Sequence, residues 1–353
     1  MKVSSATDTG IGGTDTRPMP TAIALARETL RGPELALRPA TLDDVPWVAD
    51  LLTKRDPTEP ANVGQMRHWW ALSDPGRVQD RWIVQEGETP IGLAYHEHAS
   101  WSIAPMRASR VNAWFLRDAG RPARLARAFA LVEPFAAADG AELFMTGTRE
   151  GQDDEYAALI GLGYKEERRS KSWELDLDRN RATIAAMAAA SRERMRAEGI
   201  EITTIDRVAD PEKWRKLHAM VEASIQDIPT TVPHAPESFE SFMQWMSSPG
   251  LHADRLWVAR EGSAIVGMSV LDYPPGVGNV WTDYTGTSRA VRGRGIARAL
   301  KCETVTQAIE LGVARVRTNN DGQNAPILHL NEEMGYTRIP GHIQLLKPAT
   351  ARL

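Results

Sequence analysis

The sequence predicts an α+β protein built from two tandem copies of one fold. Two similar segments, DRWIVQEGETPIGLAY at 80–95 and DRLWVAREGSAIVGMSV at 254–270, carry the first sign of a repeat. Once Leu256 is treated as an insertion, their Trp and Gly residues align at an offset of 175 residues. The same offset places the segment that starts at Arg117 on the one that starts at Arg292. An internal repeat of this kind indicates two domains of the same architecture.

Both copies predict the same order of elements. An opening strand and a helix precede two apolar strands joined by a turn that contains glycine. A further strand then leads into an arginine/glycine turn, a long helix, a strand, a shorter helix and a closing strand. The first seven predicted elements cover 35–41, 42–53, 81–85, 90–96, 111–116, 122–138 and 141–147 in the first copy, and 200–206, 211–225, 256–260, 264–271, 279–286, 295–311 and 313–318 in the second. This mixed order predicts, for each copy, a mixed and mostly antiparallel sheet flanked by helices.

The chain is expected to divide into four segments. Residues 1–33, rich in Ser, Thr and Gly, are predicted to be a flexible leader. Residues 34–178 form the N-terminal domain, residues 179–199 a charged, alanine-rich helical linker, and residues 200–353 the C-terminal domain.

Composition argues against several classes of protein. The chain has 42% hydrophobic and 25% charged residues, as soluble globular proteins do. A net charge of −4 disfavours a general nucleic-acid binder, and no apolar segment is long enough for a membrane span. We therefore expect neither nucleic acid nor a membrane as a partner. The single cysteine, Cys302, cannot form an intrachain disulfide, and no zinc spacing is present, so we expect no metal and a cytoplasmic location.

The stretch TSRAVRGRGIARALK at 287–301 predicts an anion-binding turn at a helix N-terminus. The first N–H groups of a helix have no intrahelical partner, and the helix dipole adds to their attraction for phosphate. Glycine lets the backbone approach a ligand closely, and Arg292 and Arg294, with Arg289 or Arg298, supply charged donors. The alternative is a glycine turn that carries solvated arginines.

Two motifs of the second copy resemble those of the GCN5-related N-acetyltransferase (GNAT) superfamily. The segment RGRGIA at 292–297 resembles the R/Q-x-x-G-x-G/A loop that binds the acyl-CoA pyrophosphate, and RTNNDGQNAPILHLNEEMGY at 317–336 resembles the second CoA-side signature. The resemblance extends over residues 34–350, and the tandem arrangement is similar to that of mycothiol synthase-like acetyltransferases.

The resemblance implies acetyl-CoA as co-substrate and a set of residues that bind it. Backbone groups of Thr285 and Thr287 would bind the pantetheine arm and the thioester carbonyl. Asn324 would bond the pantetheine or phosphate region and Asn320 would help to orient it, although both asparagines have an N-cap as the alternative. The pyrophosphate would be held by main-chain amides of Arg292, Gly293, Arg294, Gly295, Ile296 and Ala297.

Acyl transfer to an amine needs a base for the amine and a donor for the departing thiolate. Asp283 is the predicted base, because strand alternation places it on the face of Thr285 and Thr287, with Tyr284 on the opposite face. The alternative is a purely structural carboxylate. Asn331 stands where many family members have a tyrosine acid. An amide can donate a hydrogen bond to the sulfur but delivers no proton, so the general acid stays unassigned.

Acceptor contacts are predicted outside the loop. Asp227 and Thr230 belong to a proline-broken segment with the element DIPTT, and Asp272 ends the strand before Asp283. Asp227 is suited to a cationic acceptor, but Asp227 and Thr230 are equally suited to capping a turn.

The first copy is predicted to have a degenerate CoA loop. Its segment RDAGRPA introduces the negative charge of Asp118, and Pro122 lacks the N–H of its counterpart Ala297. The predicted function is transfer of an acyl group from acetyl-CoA to a small-molecule amine in the second copy, by a monomer or a homodimer. A non-catalytic acyl-CoA-binding or regulatory protein, O-acylation and a longer acyl chain remain alternatives.

Overall fold

The computed structural model describes residues 34–349, so the predicted leader at 1–33 lies outside the described residues. The first copy contains six strands and four helices: β1 (Leu35–Pro39), α1 (Val45–Arg55), α2 (Val63–Ala71), β2 (Arg77–Glu86), β3 (Thr89–Ala99), β4 (Ala108–Phe115), α3 (Arg121–Ala138), β5 (Leu143–Arg149), α4 (Asp153–Gly161) and β6 (Lys165–Asp176).

A connecting helix and the second copy follow. They comprise α5 (Leu177–Ala197), β7 (Glu201–Thr204), α6 (Lys213–Ile225), α7 (Phe239–Met246), β8 (Leu256–Glu261), β9 (Ala264–Asp272), β10 (Val280–Thr287), α8 (Ile296–Glu310), β11 (Arg315–Asp321), α9 (Ala325–Met334), β12 (Thr337–Ile339) and β13 (His342–Pro348). The predicted repeat of elements and the α+β class are confirmed. The short helices α2 and α7, which occupy equivalent places in the two copies, were not predicted.

All the described strands belong to one continuous sheet. The order along it is β1-β2-β3-β4-β5-β13-β6-β11-β10-β9-β8-β7, with β12 paired to β6. The copies have exchanged their closing strands: β13, from the end of the second copy, pairs with β5 over seven residues, and the later part of β6 pairs with β11. Sheet pairing therefore crosses the predicted boundaries at 178 and 200.

The central parallel strands separate soon after they meet. β10 and β11 pair only at Val280 with Val316 and at Trp281 with Arg317. β4 and β5 pair over three residues in the same way. Beyond these pairs the backbone groups on the facing edges are open, which leaves a cleft within the sheet of each copy.

Helices cover both faces of the second copy. Val258 packs on one face with α6 and α7, whereas its neighbour Ala259 packs on the other with α8, as strand alternation requires. The predicted linker is a helix, α5, that packs along α8 through a buried stripe at Ile184, Ala188, Ser191 and Met195. Among residues 34–349, no helix has the length and apolar character needed to cross a membrane.

Candidate active site

The arginine/glycine turn forms an open helix N-terminus in the second copy. Gly293 and Gly295 adopt left-handed conformations with φ of +79° and +84°, which L side chains rarely adopt. Helix α8 begins at Ile296, and no side chain caps its first N–H groups. A Cβ at Gly295 would lie 3.1 Å from Nη1 of Arg194 on α5. An uncapped helix start with this backbone fits a pyrophosphate.

The arginines of this turn have carboxylate partners. Asp227 accepts hydrogen bonds from both Arg289 and Arg292, the latter at 2.6 Å. Arg294 bonds Glu198 at the end of α5 at 2.8 Å. Asp227 therefore lies at the arginine/glycine turn, where it neutralises charge, and not on the acceptor side as predicted. The hydroxyl of Thr230 donates to the carbonyl of Val232 at 2.9 Å in its own exposed loop, which matches the alternative of a turn cap.

A β-bulge in β10 presents Asp283. Trp281 and Thr282 pair with Asp272 and Leu271, but the next pair joins Tyr284 to Val270, so Asp283 is an extra residue in its strand. A bulge bends the strand and re-aims the side chain at that point. The predicted strict alternation is therefore wrong at this position.

Asp283 and Tyr284 consequently both reach α7, although opposite faces were predicted. Trp245 Nε1 donates to Asp283 Oδ2 at 2.7 Å, and the ring of Trp245 meets that of Tyr284 edge-on at 6.0 Å. The hydroxyls of Tyr284 and Ser224 are 2.6 Å apart, which fixes the tyrosine as a packing residue.

The environment of Asp283 raises its pKa to about 6. Burial is the largest cause, the hydrogen bond from Trp245 opposes it, and the nearby charge of Asp272 adds to it. Solvent nevertheless reaches Asp283, which is an exposed residue although protein atoms surround its carboxylate closely enough to desolvate it. A carboxylate that ionises near neutral pH and meets solvent is suited to accept a proton.

Asp272 lies beside Asp283 and is held by the first copy. Gln65 Nε2, on α2, donates to both carboxylate oxygens of Asp272 at 2.7 and 2.8 Å. Burial raises the pKa of Asp272, and the hydrogen bond from Gln65 opposes that rise. The cleft thus brings together two carboxylates and one helix from each copy.

Residues 218–336 match the family model for acetyltransferases of the GNAT family. The second copy is a GNAT acetyltransferase domain. Its arginine/glycine loop, bulged strand and second CoA-side segment all lie within the matched range. No curated protein sequence matches the chain.

Solved structures show that the described part of the chain, residues 34–349, has a tandem GNAT fold. A tandem GNAT protein from the clavulanic acid biosynthesis pathway matches 91% of this chain and 100% of its own, with a TM-score of 0.68 and 16% identity. A GCN5-related N-acetyltransferase from Sphaerobacter thermophilus matches 90% and 97%, with a TM-score of 0.63 and 19% identity. At these identities the likeness establishes the fold and leaves the acceptor open.

Strand β10 of the GNAT domain places Thr285 and Thr287 next to β9. The hydroxyls of Thr285 and Ser269 are 2.8 Å apart. Thr287 is buried beside Gly267, where a Cβ would lie 3.1 Å from the threonine methyl group. The backbone beyond the bulge is free on its β11 side, since the pairing with β11 has ended at Trp281.

Asn331 of the GNAT domain lies in a buried polar network that sequence reasoning did not identify. Its side chain is fully buried, accepts a hydrogen bond from Lys301 Nζ and donates to Asn320 Oδ1 at 2.8 Å. Burial lowers the pKa of Lys301 to about 7. Both ends of the Asn331 amide are thus engaged in a network that joins α8, α9 and β11, which is a structural role.

The two predicted CoA-side asparagines differ in their placement. Asn320 lies inside β11 and not at a helix start, so the N-cap alternative is wrong for it. Asn324 precedes α9, but its side chain makes no capping hydrogen bond. The side chain of Asn324 is therefore available at the end of the cleft strand β11.

In the equivalent loop of the first copy, the carboxylate of Asp118 bonds the donors of the loop itself. Asp118 Oδ1 accepts from the backbone N of Gly120 at 2.9 Å and from Arg124. Gly120 has φ of −82°, so the left-handed turn of the second copy is missing. Strand β4 pairs with β3 without a bulge and has no counterpart of Asp283. The ring of Phe115 fills the space beside Gly92, where Thr287 stands beside Gly267 in the second copy.

Sequence reasoning also missed Gln65 and Trp245, which hold the two carboxylates. One signal was available for Trp245: the 175-residue offset of the repeat pairs Trp70 with Trp245. Gln65 had no such signal, because its contact with Asp272 joins residues 207 positions apart.

Proposed function

We propose that the GNAT domain of the second copy transfers an acetyl group from acetyl-CoA to the amine of a small molecule. The amine attacks the thioester directly, with Asp283 as general base. The observation that carries this proposal is the bulged Asp283, a solvent-reached carboxylate with a pKa of about 6 beside the open edge of β10. The first copy offers no such residue on β4.

The loop from Arg292 to Ala297 would hold the pyrophosphate of acetyl-CoA. Its two left-handed glycines and the uncapped start of α8 provide main-chain N–H groups. When bound, acetyl-CoA supplies an activated thioester. The unpaired edge of β10 beyond Trp281 offers backbone N–H groups to a pantetheine chain and to the thioester oxygen.

Asp283 would accept the proton that the attacking amine loses. A base is most effective when its pKa lies near the working pH, and a pKa of about 6 leaves the carboxylate mostly ionised at neutral pH. The Trp245 N–H supports the ionised form and fixes its orientation. No proton transfer is proposed for Asn331, because its amide is engaged by Lys301 and Asn320.

The test measures release of CoA thiol from acetyl-CoA with a panel of primary amines. Substituting Asp283→Asn should lower kcat/KM by about 10²–10⁴-fold, the usual contribution of a general base, while the Kd for acetyl-CoA stays unchanged. Asp206→Asn, an exposed aspartate of the same domain, is the matched control. Wild-type turnover in Asp283→Asn would overturn the assignment of the base. Binding of acetyl-CoA without acylation of any amine would favour a non-catalytic acyl-CoA-binding protein.

A further inference from the structure

The first copy is attached to the acceptor side of the GNAT domain through α2. Asn62 caps α2 by accepting a hydrogen bond from the backbone N of Gln65 at 2.9 Å. The amide of the same Asn62 donates to the carbonyl oxygens of Pro275 and Val277, at 2.9 and 2.7 Å, in the connection between β9 and β10. One residue therefore starts the helix and fixes it against the second copy.

This attachment places Gln65 directly on Asp272. An amide group that donates to both carboxylate oxygens favours the ionised form of the acid, whose two oxygens both accept. The backbone of Gly250 lies against this contact, since a Cβ there would lie 1.6 Å from Asp272 Oδ1 and 2.7 Å from Gln65 Nε2. Asp272 is thus fixed in position between two elements of different copies.

The two carboxylates of the cleft are held by neutral donors. Within residues 34–349, Gln65 bonds Asp272 and Trp245 bonds Asp283, neither carboxylate forms a salt bridge, and His252 acts on Asp272 only through a longer-range electrostatic interaction. A partly buried anion without a close cationic partner is costly, and a positively charged ligand relieves that cost. The cleft is therefore complementary to a ligand with positive charge.

We infer that the first copy forms one wall of the acceptor site, and that Gln65 is a positioning residue that holds Asp272 against a second cationic group on the acceptor amine. This inference rests on the proposed function. The reacting nitrogen of such an acceptor lies at Asp283, and its remote ammonium group pairs with Asp272. The class of acceptor is a small diamine or an amine of equivalent charge. The first copy, whose own loop is filled by Asp118, then serves the reaction of the second copy.

The experiment compares putrescine with butylamine, which has the same carbon chain without the second amine. We expect wild-type protein to acetylate putrescine with the higher kcat/KM. Gln65→Ala should raise the KM for putrescine about tenfold, the usual effect of losing a hydrogen bond to a charged group, and should leave the KM for butylamine and the Kd for acetyl-CoA unchanged. Gln79→Ala, which removes a 2.7 Å bond to Glu97 elsewhere in the first copy, should behave as wild type.

A double-variant cycle separates positioning from a general structural effect. If Gln65 acts through Asp272, the variant with both Gln65→Ala and Asp272→Asn will acetylate putrescine no more slowly than Asp272→Asn alone. Additive losses, an unchanged KM in Gln65→Ala, or equal use of putrescine and butylamine by the wild type would overturn the inference and leave the proposed function standing. Failure to acetylate any amine despite binding of acetyl-CoA would overturn both.

Discussion

The pKa of Asp283 depends on residues outside its own strand. Burial raises its pKa, the Trp245 N–H lowers it and the charge of Asp272 raises it again. Two of these three influences come from side chains that themselves depend on α7 and α2. The pKa of the Asp283 carboxylate therefore depends on how both helices pack.

Substituting Trp245→Phe should move the acidic limb of the pH–rate profile to higher pH. The indole N–H stabilises the ionised carboxylate, so its removal raises the pKa of Asp283 above about 6. The active form is the ionised base, and kcat/KM therefore rises with pH through that pKa. Trp257→Phe removes a 2.7 Å bond to Gln307 on α8 and serves as the control. An unmoved acidic limb in Trp245→Phe would show that Asp283 is not the titrating base.

Prediction from sequence was most successful for residues whose neighbours are local. Gly293 and Gly295 were recognised because a short motif carries its own backbone geometry. Asp283 was recognised as a candidate, but its orientation was not, because a bulge is set by register with β9. Asp227 was placed on the wrong side, since its ion pairs with Arg289 and Arg292 span more than sixty residues.

The connecting helix α5 acts as a structural layer of the GNAT domain. Its buried residues recur at intervals of three and four along one face and pack on α8, the helix that starts at the arginine/glycine loop. Arg192 on α5 also bonds Glu303 on α8 at 2.6 and 2.8 Å. The sequence predicted a charged, alanine-rich helical linker, and its packing on α8 was not predicted.

Ile184→Ala should therefore destabilise the protein by about 2–5 kcal/mol, the usual cost of removing a buried aliphatic side chain. Ile184 has no exposed surface, whereas its neighbour Thr183 is exposed. Thr183→Ala should change the free energy of unfolding by less than about 0.5 kcal/mol. Denaturant unfolding measures both. Equal effects of the two substitutions would mean that α5 does not pack on α8 in solution.

Elements with strong alternation were predicted well, and the short helices were not. The paired strands β8 and β9 and their counterparts β2 and β3 follow from apolar runs around a glycine turn. Helix α7 follows a proline-rich segment that reads as a loop, although Ser238 caps it and Phe242 is buried beneath it. Both missed helices line the cleft, so the sequence predicted the sheet of the site better than its walls.

At the scale of the whole molecule, the two copies form one structure. The exchange of β6 and β13 makes the sheet continuous, and α2 of the first copy reaches the cleft of the second. A repeat in the sequence predicts two similar domains but carries no information on which copy completes which sheet, because that choice is made by long-range pairing. The first copy thus contributes β6 to the sheet of the second copy and Gln65 to the surroundings of Asp272.

The most direct test of the central claim is calorimetric titration of acetyl-CoA into the wild type, Gly295→Ala and Gly312→Ala. The two glycines lie at opposite ends of α8 with φ of +84° and +77°, so each substitution strains the backbone by about 1–2 kcal/mol. We predict one molecule of acetyl-CoA per wild-type chain, loss of binding in Gly295→Ala and full binding in Gly312→Ala. Two sites per chain, or binding that survives Gly295→Ala, would contradict the assignment of acetyl-CoA to the second copy.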